Sequence, residues 1–481
     1  MSNRRRIIKQ LRRILGNDYV LHYPEDLLVF EYDGSIDKAL PQAVVFPSTT
    51  SQVRQVVELA YDEGIPIVGR GSGTGLSGGA VASLGGLQVV LTRMNRIIEI
   101  DTDNRLAVVE PGVINLDLDE EVRIHGLRYA PDPSSQKACT IGGNVAENAG
   151  GPHCLAYGVT SNHVLGIEVV LEDGSTYWLG GKSRDYRGYD LRGVFVGSEG
   201  TFGLATKIIV RLLPLPPMTK TYLGVFPELN MACDTVSSVI SQGIVPAAME
   251  IIDALTIKAV QNVVDVGLPK DAGAVLLIEL EGMVEEVTET GPEIETIMSA
   301  CGAVNVRYAE SVDERSRLWA ARKGALGALG SLAPNYYLVD GVVPRTKLTE
   351  VLEKISDIGC QYKMDIANVF HAGDGNLHPC ILFDERKLGD VGCVMEVGGE
   401  ILKECVRLGG SLSGEHGIGL EKKEYMPLVY TQQDMDVMKA IRDVFAPNEL
   451  FNPGKIFPGG PQYAHSMQHR AVRAVGPGAH V

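Results

Sequence analysis

The stretch IPIVGRGSGTGLSGGA, residues 65–80, constrains the fold most: six glycines fall within residues 69–80, directly behind a short apolar run that reads as a buried strand. Glycine at that density gives access to positive φ and lets bare backbone N–H groups converge on an anion. Gly73-x-Gly75-x-x-Gly78 matches the dinucleotide fingerprint formally, but that fingerprint needs a helix opening at its third glycine to support the pyrophosphate. Here GAVASLGGLQVVL follows, Gly85-Gly86 interrupts it, and LQVVL reads as the next strand. The loop therefore joins strand to strand, which argues against NAD and for a flavin dinucleotide in an extended cradle. A glycine-rich turn with no ligand is the plainer alternative.

A chain of 481 residues with 45% hydrophobic content has room for two or three domains with sizeable cores. A net charge of −16 speaks against nucleic acid or an anionic membrane as the main partner. No apolar run approaches the roughly eighteen residues a membrane helix needs. The eight cysteines form no C-x-x-C pair, which fits a reducing compartment and excludes an iron–sulfur ligand set, so redox chemistry needs another carrier. The expected location is cytoplasmic, with any peripheral membrane contact made through partner subunits. MSNRRRIIKQLRRIL carries five arginines and one lysine, with Ile7, Ile8, Leu11, Ile14 and Leu15 at helical spacing. A transit or membrane-surface helix has this pattern. Because globular pattern continues at once, an ordinary N-terminal helix packing its stripe on the body is expected.

AVVFPSTTSQVRQVVELAYDEGIPIVGRG reads as strand, N-capped helix and strand, with Val53, Val56, Val57 and Ala60 on one helix face. Strands follow at LAVVEPG, VLGIEVVLEDGSTYWL and LATKIIVRLLPLPP, the last ending in a proline-rich boundary. Beyond Pro217 the texture becomes alternating helices and strands, a second α+β domain set over the first. TQQDMDVMKAIRDVFAP is a last helical segment, and the polar residues after NELFNPGKIFP read as a disordered tail. The expected division is an N-terminal helical segment at 1–38, a cofactor domain at 39–217, a substrate and metal domain at 218–458 and a tail at 459–481.

Two further glycine-rich constellations lie in the cofactor domain: APDPSSQKACTIGGNVAENAGGPHCLAYG, and GSEGTFGLATKI with Glu199 between Gly197 and Gly200. Three such loops can wrap a long ligand. Together they resemble the loops of the vanillyl-alcohol oxidase and p-cresol methylhydroxylase flavoprotein superfamily. FHAGDGNLHP, GEHGIG and NPGKIFP resemble its FAD-linked D-2-hydroxy-acid dehydrogenase branch, particularly the flavin-bearing subunits of bacterial glycolate oxidases. The match runs in order from about Pro41 to Pro458. It implies an α+β fold: a two-part FAD-binding domain of the p-cresol methylhydroxylase type, an α+β substrate or cap domain and a C-terminal helical segment. It places Arg70, Gly71, Ser72, Gly73, Thr74, Gly75, Leu76, Asp132, Thr140, Gly142, Gly143, Asn148, Gly151 and Glu199 around FAD. Some members tether flavin through a histidine in the first loop; this chain has Thr74 near that place, so FAD is expected to be noncovalent. An electron-accepting partner, an iron–sulfur or second flavin-domain subunit, is also implied.

The second domain carries the chemistry. IANVFHAGDGNLHPCILF reads as a hairpin turning at Gly373-Asp374-Gly375, with His371 and His378 at the inner strand ends, where facing positions let two imidazoles share a cation. SLSGEHGIG adds Glu415 and His416, adjacent residues whose side chains would point apart in an extended segment. Any one of these histidines alone reads more simply as structural; four acid/base groups in two glycine-rich loops do not. His371, His378 and Glu415 are the expected ligands of a divalent metal, zinc, iron or manganese, that polarises a hydroxyl and leaves positions open. His416 is the expected base. Arg322 in RLWAARKG suits a substrate carboxylate, against the alternative of a solvated helix arginine, and Asn376 is expected to orient substrate or a ligand from the turn.

The expected reaction is oxidation of a small D-2-hydroxy acid, glycolate or D-lactate, to the 2-oxo acid. The branch acting on 2-hydroxyglutarate resembles this chain but has a lysine two places before the aspartate matching Asp340, where this chain has Leu338. D-2-hydroxyglutarate oxidation is therefore the second choice. A metal-dependent hydrolase could use the same ligands but has no need of the flavin loops, and a non-catalytic electron-transfer flavoprotein subunit would not need the metal motifs.

Overall fold

The computed structural model describes residues 3–183, 188–263, 267, 269 and 271–459, so the expected tail lies outside the described residues except for Gly459. Strands Ala43–Val45, Leu87–Val90 and Ile67–Arg70 pair in parallel, with Val20–Leu21 antiparallel at the edge. Helix Thr50–Glu63 supplies the first crossover. The Thr49 side chain caps it by accepting from the Gln52 amide, Gly64 ends it at φ 60°, and Val53, Val56, Val57 and Ala60 are buried as their spacing requires. From Arg70 to Leu87 the chain forms no helix, and Gly73, Gly78, Gly85 and Gly86 take positive φ. Helix Asn3–Leu15 buries Ile7, Ile8, Leu11 and Leu15 in the same core, which leaves its arginines on the other face.

A second, antiparallel sheet runs in the order Ile97–Asp101, Leu106–Val109, Leu204–Arg211, Val164–Val170 and Thr176–Gly180. Its core includes Ile141 and Val145 of helix Ile141–Glu147, so the second glycine constellation is fastened to this sheet.

The third sheet has nine strands and apolar cores on both faces. Strand Ala274–Gly282 shows the alternation: Ala274, Leu276, Ile278 and Leu280 enter one core, Val275 and Leu277 the other. The same period sets Ala367 and Val369 of Ile366–His371 on the second face, the face that His371 also takes. Cross-strand register then brings Glu250 opposite His371.

After helix Gln432–Phe445 the chain returns to the first two sheets. Phe445 stacks on Phe202 with ring centroids 4.7 Å apart and 6° between planes. The Ile67 amide donates to the Leu450 carbonyl at 2.8 Å, and the Asn452 amide to the Ile67 carbonyl at 2.7 Å. Leu450 and Phe451 enter the parallel-sheet core, burial worth about 1.5–3 kcal/mol each. The large sheet is thus an excursion from the cofactor-side layers, tied down at both ends.

Candidate active site

A cavity of about 390 Å³ opens where the two halves meet. Arg70 through Leu76 line it, as do Thr140, Gly142, Gly143 and Glu199 from the other two glycine loops. Arg322, His378, Glu415 and His416 of the large-sheet half face them, and Asn452 arrives with the returning chain.

The first loop is shaped for an anion. The backbone amides of Gly71 through Leu76 donate to no protein acceptor among the described residues, although they border the cavity. A Cβ on Gly75 would meet nothing nearer than Glu147 Oε1 at 4.0 Å, so that face of the backbone is bare. Arg70 serves the loop from below: it is buried, donates to the Tyr32 carbonyl at 2.7 Å, and packs so closely under Gly73 that a Cβ there would fall 2.2 Å from its Nη2. Thr140 caps helix Ile141–Glu147 by accepting from the Gly143 amide.

Three of the residues expected around FAD do not line the cavity. Asp132 accepts from His153 Nδ1 at 2.8 Å and Lys323 Nζ at 3.0 Å. Asn148 ends the helix at φ 55° and accepts from the Ser161 amide at 2.9 Å. Gly151 is fixed against the Asp132 carbonyl, where a Cβ would approach to 2.6 Å.

Opposite the loop, four acid/base side chains converge. His371 Nε2 lies 3.1 Å from Glu415 Oε1, and His378 Nε2 lies 3.3 Å from the same oxygen. The ligand atoms of these three residues all fall within 4.8 Å of one another. His416 stacks on His378, centroids 5.0 Å apart at 13°. The hairpin register differs from the simplest reading: Asn376, not His378, stands directly across from His371, and the two imidazoles meet diagonally, edge to face at 80°. Glu415 and His416 do not point apart either. Their loop bends, and His416 Nε2 comes to 4.0 Å from Glu415 Oε1.

That bend is made by Asp340, which has no exposed surface. Its carboxylate accepts from Ser413 Oγ at 2.6 Å, the Gly414 amide at 3.1 Å, the His416 amide at 3.0 Å and buried Lys422 Nζ at 3.1 Å. Burial would raise its pKa, but His416, Lys422 and His378 hold it well below the usual carboxylate range. Burial would likewise raise Glu415, yet the neighbouring His371 imidazole outweighs burial and brings it to about 2. Burial pushes His416 down to about 4, against the pull of Asp340, leaving a neutral imidazole at neutral pH.

Arg322 is 2% exposed, so it is not a solvated helix arginine. Glu250 Oε2 holds its Nη2 at 2.5 Å, while Glu250 Oε1 stands 2.8 Å from His371 Nδ1, and Arg322 Nε has no partner. Asn376 is buried with its Oδ1 unpartnered, its amide pressed against Gly414.

Residues 41–180 match the FAD binding domain family, and residues 215–456 match the C-terminal domain of FAD linked oxidases. The chain belongs to the FAD-linked oxidases. It is 43% identical to the glycolate oxidase subunit GlcD of Escherichia coli (strain K12), covering 95% of this chain and 92% of that protein. Identity is 42% to GlcD of Bacillus subtilis (strain 168), covering 89% and 92%. It is 32% to a D-lactate dehydrogenase of Anaerostipes hadrus, covering 87% and 90%. The fold is that of p-cresol methylhydroxylase, solved with substrate bound: TM-score 0.81 at 18% identity, covering 95% of this chain and 97% of that one.

Six unengaged amides on a bare backbone make the first loop a concavity of the kind that binds anions. Sequence reasoning missed Glu250, Asp340, Lys422 and Asn452. Asn452 and Lys455 lie in the NPGK motif, and both donate to the Gly79 carbonyl, at 2.9 and 2.6 Å, bracing the loop from behind. Among the described residues no helix is long and apolar enough to cross a membrane.

Proposed function

We propose that this FAD-linked oxidase converts a small D-2-hydroxy monocarboxylate, glycolate or D-lactate, to the 2-oxo acid. The observation that carries the proposal is the convergence of His371, His378, Glu415 and His416, the last three of which line the same cavity as the unengaged amides.

Oxidation of a 2-hydroxy acid removes hydride from C2 and a proton from the hydroxyl. FAD, when bound along the glycine loops, supplies the hydride acceptor. His371, His378 and Glu415 would hold a divalent cation, which supplies Lewis acidity toward the substrate oxygens. The donor set fits: two imidazoles and a carboxylate held at a low pKa, with His378 Nε2 buried and without a hydrogen-bond partner. Glu250 fixes Nδ1 of His371, so that Nε2 faces the site. His416, neutral and stacked beside the ligands, takes the hydroxyl proton. Arg322 offers its guanidinium to the carboxylate, with Glu250 keeping the fork fixed. Asn376 orients the hairpin side of the site.

Two features support a monocarboxylate. Leu338 packs in the apolar cluster that includes Leu76 and Leu326 of the cavity wall, and Lys323, also in that wall, spends its ammonium on Asp132 and Gln136. Neither offers a cation to a second carboxylate. We infer that electrons then pass to a partner subunit, since two of the relatives are named as subunits of glycolate oxidase. Anaerobic addition of glycolate or D-lactate to the yellow protein is the test: bleaching of the flavin within seconds is expected. Bleaching by 2-hydroxyglutarate alone would overturn the substrate assignment, and no bleaching by any hydroxy acid would overturn the activity.

A further inference from the structure

Glu199, expected from the sequence beside FAD, lines the cavity and also engages the loop facing it. Its Oε1 accepts from the Ile418 amide at 2.7 Å and its Oε2 from the Gly419 amide at 2.6 Å, both on the loop that carries Glu415 and His416. The residue sits at φ 51°, a left-handed backbone between Gly197 and Gly200, and its own carbonyl accepts from Asn452. The seam continues in backbone bonds: the Leu420 amide donates to the Ser77 carbonyl at 2.8 Å, and the Ile456 amide to the Gly419 carbonyl at 2.9 Å. At Gly419 a Cβ would fall 2.0 Å from the Ser77 carbonyl oxygen, so the two loops meet backbone on backbone.

Glu147 approaches from the other side. A Cβ on Gly417 would lie 2.5 Å from Glu147 Oε2 and 2.9 Å from Glu199 Oε1, so the buried carboxyl of Glu199 and the half-buried one of Glu147 face each other across one glycine. Two acids this close do not both ionise. Glu199 has two N–H donors, whereas Glu147 has Ser77 Oγ at 3.5 Å, so Glu199 is the better placed of the two to carry the negative charge.

We propose that Glu199 is a positioning residue for His416: its carboxylate clamps the 417–419 backbone to the flavin-side layers and fixes the distance between the base and the cofactor cradle. This rests on the reading of His416 as the base. The clamp is charge-assisted at both oxygens, and the base sits two residues before the first clamped amide. A misplacement of about 1 Å at such a position costs on the order of 10²-fold in rate.

Glu199→Gln is the test, because its amide can accept one N–H but turns a donor toward the other. FAD content after gel filtration, hydrogen exchange of the peptide spanning 417–420, and anaerobic single-turnover flavin reduction are measured together. Retained FAD, exchange at least about ten-fold faster in that peptide and reduction slowed on the order of 10- to 100-fold are expected, with no further slowing when Glu199→Gln is added to His416→Asn. If Glu199→Gln does not fold, Glu199→Asp, which keeps the charge at shorter reach and tolerates positive φ, carries the same measurements. Loss of FAD with unchanged exchange would make Glu199 a cofactor ligand and overturn the proposal; unchanged exchange and rate would overturn it equally. A wild-type reduction rate in His416→Asn overturns the base reading, while the exchange data still decide the clamp.

Discussion

Glu250 and His371 are directly paired across adjacent strands, and the carboxylate of one stands 2.8 Å from Nδ1 of the other with both side chains buried. The other oxygen of Glu250 holds Arg322 at 2.5 Å. One buried carboxylate thus orients a proposed metal ligand and neutralises the proposed carboxylate anchor. Glu250→Ala would leave the guanidinium buried without its counter-charge, an imbalance that costs about 3–5 kcal/mol. Denaturant titration should show that loss, and the variant should bind its divalent metal about 10- to 100-fold more weakly.

The His153 network predicts a pH dependence of stability. His153 bridges Asp132 of the cofactor side and Glu279 of the large sheet, at 2.8 and 3.1 Å. Burial alone would lower its pKa, but the two carboxylates outweigh burial and push it up to about 10, above the ordinary 6.5. A raised folded pKa gives stability that is complete below pH 6.5 and lost as pH climbs through about 10. The stability gap between the wild type and His153→Gln, measured by urea unfolding, should therefore shrink from pH 6.5 to pH 10. A constant gap would contradict the network.

No histidine lies in the first glycine loop, where Thr74 borders the cavity. Acid or heat denaturation should release the flavin into the supernatant. Yellow colour persisting in the washed precipitate would show a covalent tether.

Removing one proposed ligand should separate the two sites. His378 stands on the hairpin and the unengaged amides proposed to hold FAD on the opposite wall, so His378→Ala should lose bound metal and turnover while keeping stoichiometric FAD. Elemental analysis and the flavin spectrum of one sample check both halves. Full activity after exhaustive chelation would remove the metal from the mechanism.

How much of this was legible in the sequence depends on what kind of pairing a residue needs. His371, His378, Glu415 and His416 stand out because polar, titratable groups among glycines have no packing role to explain them. The helix Thr50–Glu63 and the helix-free first loop follow from local spacing and glycine placement. Glu250 meets His371 from 121 residues away, through a strand register that no local pattern encodes. Asp340 shapes the Glu415–His416 loop in the same nonlocal way, and the bend it imposes is why two adjacent side chains share one cavity. Asp132 and Asn148 sit in glycine-rich segments that suggested cofactor contact, but their side chains accept from His153 and Ser161 and do not line the cavity, whereas Glu199 lines it and also holds the facing loop; sequence offers no means of telling these uses apart.

His416 is the residue on which the proposed chemistry turns. Burial holds it neutral, and it stacks on His378 with its Nδ1 3.9 Å from Asp340, beyond hydrogen-bond length, so its nitrogens are not committed to a partner at close range. A neutral imidazole in this place can take a proton from a substrate hydroxyl, and a cation held by His371, His378 and Glu415 would supply Lewis acidity there. His416→Asn keeps the approximate size and polarity but removes the proton acceptor. Flavin reduction by substrate in anaerobic single-turnover experiments should slow on the order of 10²- to 10⁴-fold. Substrate affinity should change much less, because Arg322 and the three ligand residues are untouched. A reduction rate close to wild type would transfer the proton-accepting role to another group on the same wall, and the pH profile of that rate would then report that group's ionisation instead.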